Sequence, residues 1–175
     1  MQHLALLRGI NLGDKNKLPM KELAAIFAAC GAAEVRTFQQ SGNVLFAAHD
    51  PTAVSGQVLE KIAARYSYSG RIVLRSREEL QGAARNNPFA RAGAPESQLW
   101  VYFLAERPRP ANLKLLDPLR SSPDAFAVRD RDVYLHLPGG MPQTKLSNVY
   151  FDKTLDTFST ARSWSTVGKL LTLMQ

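Results

Sequence analysis

A polar loop near the amino terminus has residue types and spacing suited to binding an anion. Arg8 and Lys15 provide positive charge, and Gly13 would let a ligand approach the backbone closely. Pro19 predicts the first turn of a helix, and Leu18 before it has no side-chain oxygen to cap that turn. Unpaired N–H groups at a helix start favour phosphate or carboxylate. The pattern predicts a site for a small anionic ligand, a phosphorylated one included.

A second interpretation of the same loop stays open, in which it only begins a helix. Asp14 or Asn16 could fold back and cap the helix, which would leave the nearby lysines in water. A carboxylate at Asp14 would also repel an anion. The loop has neither of the usual phosphate-binding signatures, G-x-x-x-x-G-K-[ST] and G-x-G-x-x-G.

The serine, cysteine and histidine positions do not identify a catalytic residue. Ser41 lies between Gln40 and Gly42 in a turn-like sequence, without the G-x-S-x-G pattern or a recognisable base. The single cysteine, Cys30, falls on the apolar stripe of a predicted helix, which is typical of a buried side chain. The three histidines are scattered and have no partner at metal-ligand spacing. We therefore expect no metal and no cofactor, and whether the protein is an enzyme stays open.

The charge balance is basic but evenly distributed. Lysine and arginine total 22 against 15 acidic residues, a formal net charge of +7. Such an excess favours nucleic acid, because phosphate contacts release counterions. Residues 1–70, 71–143 and 144–175 carry +2, +3 and +2, so the excess does not form a basic tract. Weak, sequence-independent nucleic-acid binding is thus one alternative to a small ligand. A non-catalytic structural or protein-interaction module is the other.

The hydrophobic pattern of residues 1–76 predicts the order β-α-β-β-α-β, the split unit of ferredoxin-like folds. Pro19 and Pro51 begin the two helices of this lobe. The four strands are predicted at residues 3–7, 35–39, 43–47 and 71–75.

The topology of this lobe predicts where its loops meet. A right-handed crossover makes the first two strands run in the same direction, and the hairpin then reverses the third. The loop after Arg8, the turn at Ser41 and residues 67–70 should therefore meet at one edge of the sheet. At this edge we expect Asn11 and Asn43 to orient the polar groups of the ligand.

Residues 77–175 predict a second, smaller α+β lobe with C-terminal helices, packed closely on the first lobe. Ser76 and Glu79 form a capping-box pattern, so a helix begins at once. Three strands and two final helices follow, at 99–104, 125–129 and 133–137, and from about Lys145 and Trp164. A short helical stretch is also predicted at 113–119.

Arg162 is a further candidate ligand-binding residue, because it precedes the last predicted helix. Ser163 is the predicted N-cap of that helix, so Arg162 could extend the anion site. In the alternative, Trp164 is a core anchor and Arg162 is a surface charge.

The composition is that of an ordinary globular protein of 175 residues, with 45% hydrophobic and 21% charged positions. No apolar run approaches the length of a membrane span, and no signal-peptide pattern is present. One cysteine excludes a disulfide framework. These features predict a cytoplasmic protein without a membrane partner. They do not predict its oligomeric state.

Several motifs along almost the whole chain resemble a bacterial domain-of-unknown-function family numbered 1697. The resemblance implies a small α+β protein of two lobes, one of them ferredoxin-like, and it implies no activity. Asp14 departs from the family pattern, which has glycine there, and Ser163 and Ser165 stand where asparagines are usual. The matching segments are 7–11 (LRGIN), Gly13 with Lys15 and Asn16, Pro19 with Met20, 40–44 (QSGNV), 87–89 (NPF), 134–138 (YLHLP), 145–148 (KLSN), and Arg162 with Trp164, Thr166 and Val167.

Overall fold

The computed structural model describes residues 1–10, 17–66 and 69–175. These residues form two compact units, Met1–Glu79 with Met174 and Leu80–Leu173 with Gln175. Each unit contains a four-stranded antiparallel sheet, and seven α-helices occur in the described part of the chain. The mixed α+β class predicted from the sequence is confirmed. None of the described helices is long and apolar enough to cross a membrane.

The first unit has the predicted β-α-β-β-α-β order. Its sheet has the strand order β2-β3-β1-β4, and all neighbouring strands are antiparallel. Because β1 and β2 both run against β3, they share one direction, as the crossover rule requires. The elements are β1 (Gln2–Arg8), α1 (Met20–Ala29), β2 (Ala33–Phe38), β3 (Asn43–Ala47), α2 (Pro51–Tyr66) and β4 (Arg71–Ser76).

Alternate residues of the strands pack against the two helices and form the core of this unit. Leu7 and Phe46 from the sheet are buried with Leu23 and Phe27 of α1 and Val58 of α2. The rings of Phe27 and Phe46 lie 5.2 Å apart, centroid to centroid, at a tilt of 55°. Burying such a side chain contributes about 1.5–3 kcal/mol, so this face fixes the register of the sheet.

The second unit repeats the same topology, which the sequence did not suggest. Its sheet has the order β6-β7-β5-β8, again with all neighbours antiparallel. The helix α3 (Arg77–Arg85) contains the division between the units. The remaining elements are α4 (Pro88–Arg91), β5 (Leu99–Leu104), α5 (Pro110–Leu113), β6 (Ala125–Arg129), β7 (Asp132–His136), α6 (Asn148–Leu155), β8 (Ser159–Ser163) and α7 (Trp164–Leu173).

The strand β8 is absent from the sequence prediction, because its residues are mostly polar. Ser159 is fully buried, and its hydroxyl donates to the Asp152 carboxylate at 2.7 Å. It also accepts from the Asn148 side-chain amide at 2.7 Å. Hydrogen bonds to α6 thus replace the apolar contacts by which a strand is usually recognised. With β8 included, the second unit has a four-stranded sheet, as the first does.

The residues at which the helices α3, α5 and α6 begin are set by capping residues and proline. The Ser76 backbone N–H donates to the Glu79 carboxylate at 2.7 Å and the Glu79 N–H to the Ser76 hydroxyl at 3.2 Å, so the predicted capping box is confirmed. Helix α6 begins at Asn148 rather than near Lys145, because Ser147 caps it. The helical stretch predicted at 113–119 lies earlier, at Pro110–Leu113, where proline occupies the first turn.

Candidate functional site

The end of β1 meets the start of β4 at one edge of the first sheet. Arg8 and Arg71 are directly opposite each other as Cα partners in the β1–β4 ladder. The turn between β2 and β3 lies at the same edge, since Asn43 pairs with Leu6 of β1 and with Phe38 of β2. The described parts of the three predicted loop regions therefore converge as the topology argument expects.

The side chains at this edge are divided between the two faces of the sheet. Leu7 and Ile72 are buried in the core beneath the helices. Because side chains alternate along a strand, Arg8 and Arg71 lie on the opposite face. Asn43 shares that face, since its neighbour Val44 is in the helix-side core. Two guanidinium groups and one amide thus occupy the same side of the edge.

Asn43 holds the β2–β3 turn in place. It is fully buried, and its side-chain amide donates to the Phe38 carbonyl at 2.8 Å and to the Ser41 hydroxyl at 3.1 Å. Both hydrogens of this amide are therefore used within the turn. Gln39 has a φ of +62°, a left-handed conformation that the turn requires. The role of Asn43 at this edge is to shape the loop around Ser41, which is exposed.

Gly42 brings the turn against the end of β1. The Leu7 N–H donates to the Gly42 carbonyl at 2.8 Å. A Cβ added to Gly42 would lie 2.5 Å from Ile10 Cδ1 and 2.8 Å from Leu7 Cβ, and its φ is +80°. Only glycine satisfies both the conformation and the contact. The sequence indicates a turn at Gly42, but no motif predicts its contact with Ile10.

The start of α1 is the other predicted source of anion-binding groups. Pro19 is its N-cap, and no side-chain hydrogen bond from the cap satisfies the first-turn amides. Glu22 lies in the first turn, where its negative charge complements the helix dipole. It forms an ion pair with Arg65 at 3.5 Å and a hydrogen bond from the Tyr66 hydroxyl. This acidic side chain reduces the attraction of the helix start for an anion.

Three of the candidate residues cannot be placed at this edge. Asn11, Gly13 and Lys15 lie outside the described residues, and so does Asp14, the residue that could block an anion. Their proposed roles stay predictions. Arg71, by contrast, was not selected from the sequence. The antiparallel register of β4 against β1 would have indicated it.

Arg162 lies within the second unit, in β8. Its side chain is only 6% exposed, so it is not a surface charge. It donates to the Thr160 hydroxyl at 2.8 Å and to the Ala161 carbonyl at 2.7 Å. Burial lowers its pKa to about 10, which still leaves the guanidinium protonated at neutral pH. Ser163 accepts from the Thr166 N–H at 3.3 Å, as the capping prediction requires.

The histidines and the cysteine of the described chain show packing contacts. His136 Nε2 lies 2.8 Å from the Gln98 side-chain oxygen, and its ring lies 5.8 Å from that of Phe89. The His3 ring lies 5.8 Å from the Phe46 ring, and Cys30 is buried. Over the described ranges, histidine, cysteine and acidic side chains form no group of three that could hold a metal ion.

The fold and this edge define a class of protein with two α+β units, each built on a ferredoxin-like sheet. The chain belongs to the family described as protein of unknown function DUF1697, whose model matches residues 1–134. Among solved structures it is similar to the conserved bacterial protein SP0830 from Streptococcus pneumoniae, with a TM-score of 0.71 and 22% identity. That match covers 99% of this chain and 98% of the other, and it supports the fold alone. No curated protein matches the chain.

Proposed function

We propose that the protein binds a small anion, phosphate or a phosphorylated metabolite, between Arg8 and Arg71 at the edge of the first sheet. The observation that carries the proposal is the pairing of two arginines directly opposite each other in the β1–β4 ladder. Side chains in such pairs have Cβ atoms about 5 Å apart, so both guanidinium groups can reach one small anion. Arginine donates strong, charge-assisted hydrogen bonds to phosphate and carboxylate oxygens.

The surrounding turn gives the proposed site a fixed shape. Gly42 packs against Ile10 and Leu7, and Asn43 locks the residues between β2 and β3. Because these residues are already ordered, less binding free energy is lost in ordering them when a ligand binds. Ser41 is exposed in this turn, and its hydroxyl accepts a hydrogen bond from the Asn43 side-chain amide.

Calorimetry and thermal shift with inorganic phosphate, ADP and citrate test the proposal. Citrate separates carboxylate recognition from phosphate recognition. Replacing Arg8→Gln or Arg71→Gln should weaken phosphate binding about tenfold, which is about 1.4 kcal/mol. The matched control is Lys61→Gln, which removes one positive charge from the exposed surface of α2 in the same unit. The control should bind phosphate as the unchanged protein does.

Asp14, which follows Arg8 in the same loop of the sequence, provides an independent variant. If its charge opposes an anion at this loop, Asp14→Asn should strengthen phosphate binding about tenfold. Unchanged binding in Arg8→Gln and Arg71→Gln would contradict the proposal.

Nucleic-acid binding is a distinct outcome of the same series. Binding of a single-stranded oligonucleotide should be measured at several salt concentrations in Arg8→Gln and Lys61→Gln. An affinity that falls steeply with salt, and that both substitutions lower equally, would indicate dispersed charge instead of a site.

A further inference from the structure

The strand β6 forms an open edge of the second sheet. It is the terminal strand in the order β6-β7-β5-β8, and no other described segment pairs with its outer side. Its five residues pair with β7 without a bulge, from Ala125 opposite His136 to Arg129 opposite Asp132. Four of the five are apolar and half-buried. Edge strands that are regular and apolar tend to pair with another chain.

Two backbone hydrogen bonds at the ends of the β5–β7 ladder show which groups of β6 face outward. The Leu104 N–H donates to the Arg131 carbonyl, and the Leu137 N–H donates to the Gln98 carbonyl, both at 2.8 Å. Residues 131 and 137, which flank β7, and residues 133 and 135 within it therefore bond to β5 or its flanking residues. The alternate ones, Asp132, Tyr134 and His136, bond to β6. Their partners are residues 125, 127 and 129.

It follows that the N–H and C=O groups of Phe126 and Val128 point away from the sheet. These four groups are the hydrogen-bonding set that one added strand requires.

An apolar groove lies beside the same edge. It has a volume of about 430 Å³, and Pro108, Pro110, Leu113 and Val128 line it. In a paired strand, directly opposite side chains lie on the same face of the sheet. The residue of an added strand opposite Val128 would therefore enter this groove, where an aliphatic side chain fits the proline and leucine lining.

The charges around the edge favour an acidic partner. Arg107 and Asp130 also line the groove and form an ion pair at 2.6 Å. Arg129 is exposed at the end of β6, whereas Asp132, its Cα partner in β7, is buried. Its side chain lies on the face opposite Val128, by alternation. The formal net charge of +7 makes two copies of this chain repel each other.

We propose that the β6 edge binds an extended segment of an acidic partner protein by strand addition. Aliphatic side chains of that segment occupy the groove beside Val128, and acidic side chains on its other face meet Arg129. The proposal concerns the second unit and does not depend on anion binding at the first.

A short synthetic peptide in which glutamate alternates with valine or leucine, blocked at both ends, is the probe. Its binding to the full chain is followed by calorimetry and by amide hydrogen exchange. The expected result is binding with slowed exchange at the Phe126 and Val128 amides. The Ala127 amide, which already faces β7, should change little. In an added strand, alternate peptide N–H groups face β6. N-methylation of these nitrogens should abolish binding, whereas N-methylation of the nitrogens between them should preserve it.

Charge variants test the partner chemistry. Arg129→Glu should lower the affinity for the glutamate peptide about tenfold at low salt. It should also create binding of a peptide with lysine in place of glutamate. The matched control is Arg91→Glu, an exposed arginine of the same unit, which should leave both affinities unchanged.

Three results would overturn the proposal. One is the absence of peptide binding, and the second is binding that both methylated peptides retain. The third is self-association of the chain that protects the same two amides, which would make a second copy the occupant.

Discussion

Replacing Gly42→Ala should destabilise the first unit more than the same change at Gly31, where φ is also positive. The added Cβ would lie 2.5 Å from Ile10 Cδ1 and 2.8 Å from Leu7 Cβ, closer than such atoms normally approach. Relieving that overlap costs about 1–3 kcal/mol, as overpacking does. Holding alanine at a φ of +80° adds about 1–2 kcal/mol. The expected total is about 2–5 kcal/mol.

Gly31→Ala is the matched control for this experiment. Gly31 has a φ of +90°, but a Cβ there has no heavy atom within 4 Å. Gly31→Ala should therefore lower the free energy of unfolding only by the cost of the positive φ, about 1–2 kcal/mol. Urea denaturation followed by circular dichroism compares the two variants. Equal losses in both would refute the claim that Gly42 is required by the close approach of the turn to β1.

Three other substitutions have definite expected outcomes. Asn43→Ala should lower the free energy of unfolding by about 2 kcal/mol in urea denaturation, because it removes the two hydrogen bonds that this buried amide donates to the Phe38 carbonyl and the Ser41 hydroxyl. Burial raises the pKa of Tyr102 to about 12 from 10.0, so this hydroxyl stays protonated in the fold at a pH where the unfolded chain has lost the proton. Stability should therefore fall by about 2–3 kcal/mol as pH rises from about 10 to about 12, and Tyr102→Phe should abolish that decline in alkaline denaturation curves. Ser76→Ala should cost about 1 kcal/mol in thermal unfolding, through loss of the capping box of α3.

The first unit could be predicted from sequence because its signals are local and consistent. Apolar runs in β1 and β3, proline at the helix starts and the Ser76 capping box all indicate the same topology. The second unit was only partly predicted. The polar strand β8 is held by side-chain hydrogen bonds from α6, such as those of Ser159, and no periodic pattern reveals them.

The sequence was sufficient to predict which loops meet at one edge of the first sheet, but not which contacts their side chains make. Topology alone brings Arg8 and the β2–β3 turn to one edge. Whether a side chain is already used depends on three-dimensional contacts, and Asn43 illustrates this, since its amide bonds within the turn. Arg71 required the register between β1 and β4, which follows from packing of the strands rather than from any motif.

Titration of the isotope-labelled protein with inorganic phosphate, observed by NMR at every backbone amide, tests the proposed function most directly. We expect saturable shifts that cluster at Arg8, Arg71 and the β2–β3 turn, and that need about tenfold more phosphate in Arg8→Gln but not in Lys61→Gln. Shifts scattered over lysines and arginines of the whole surface, equal in both variants, would contradict the account.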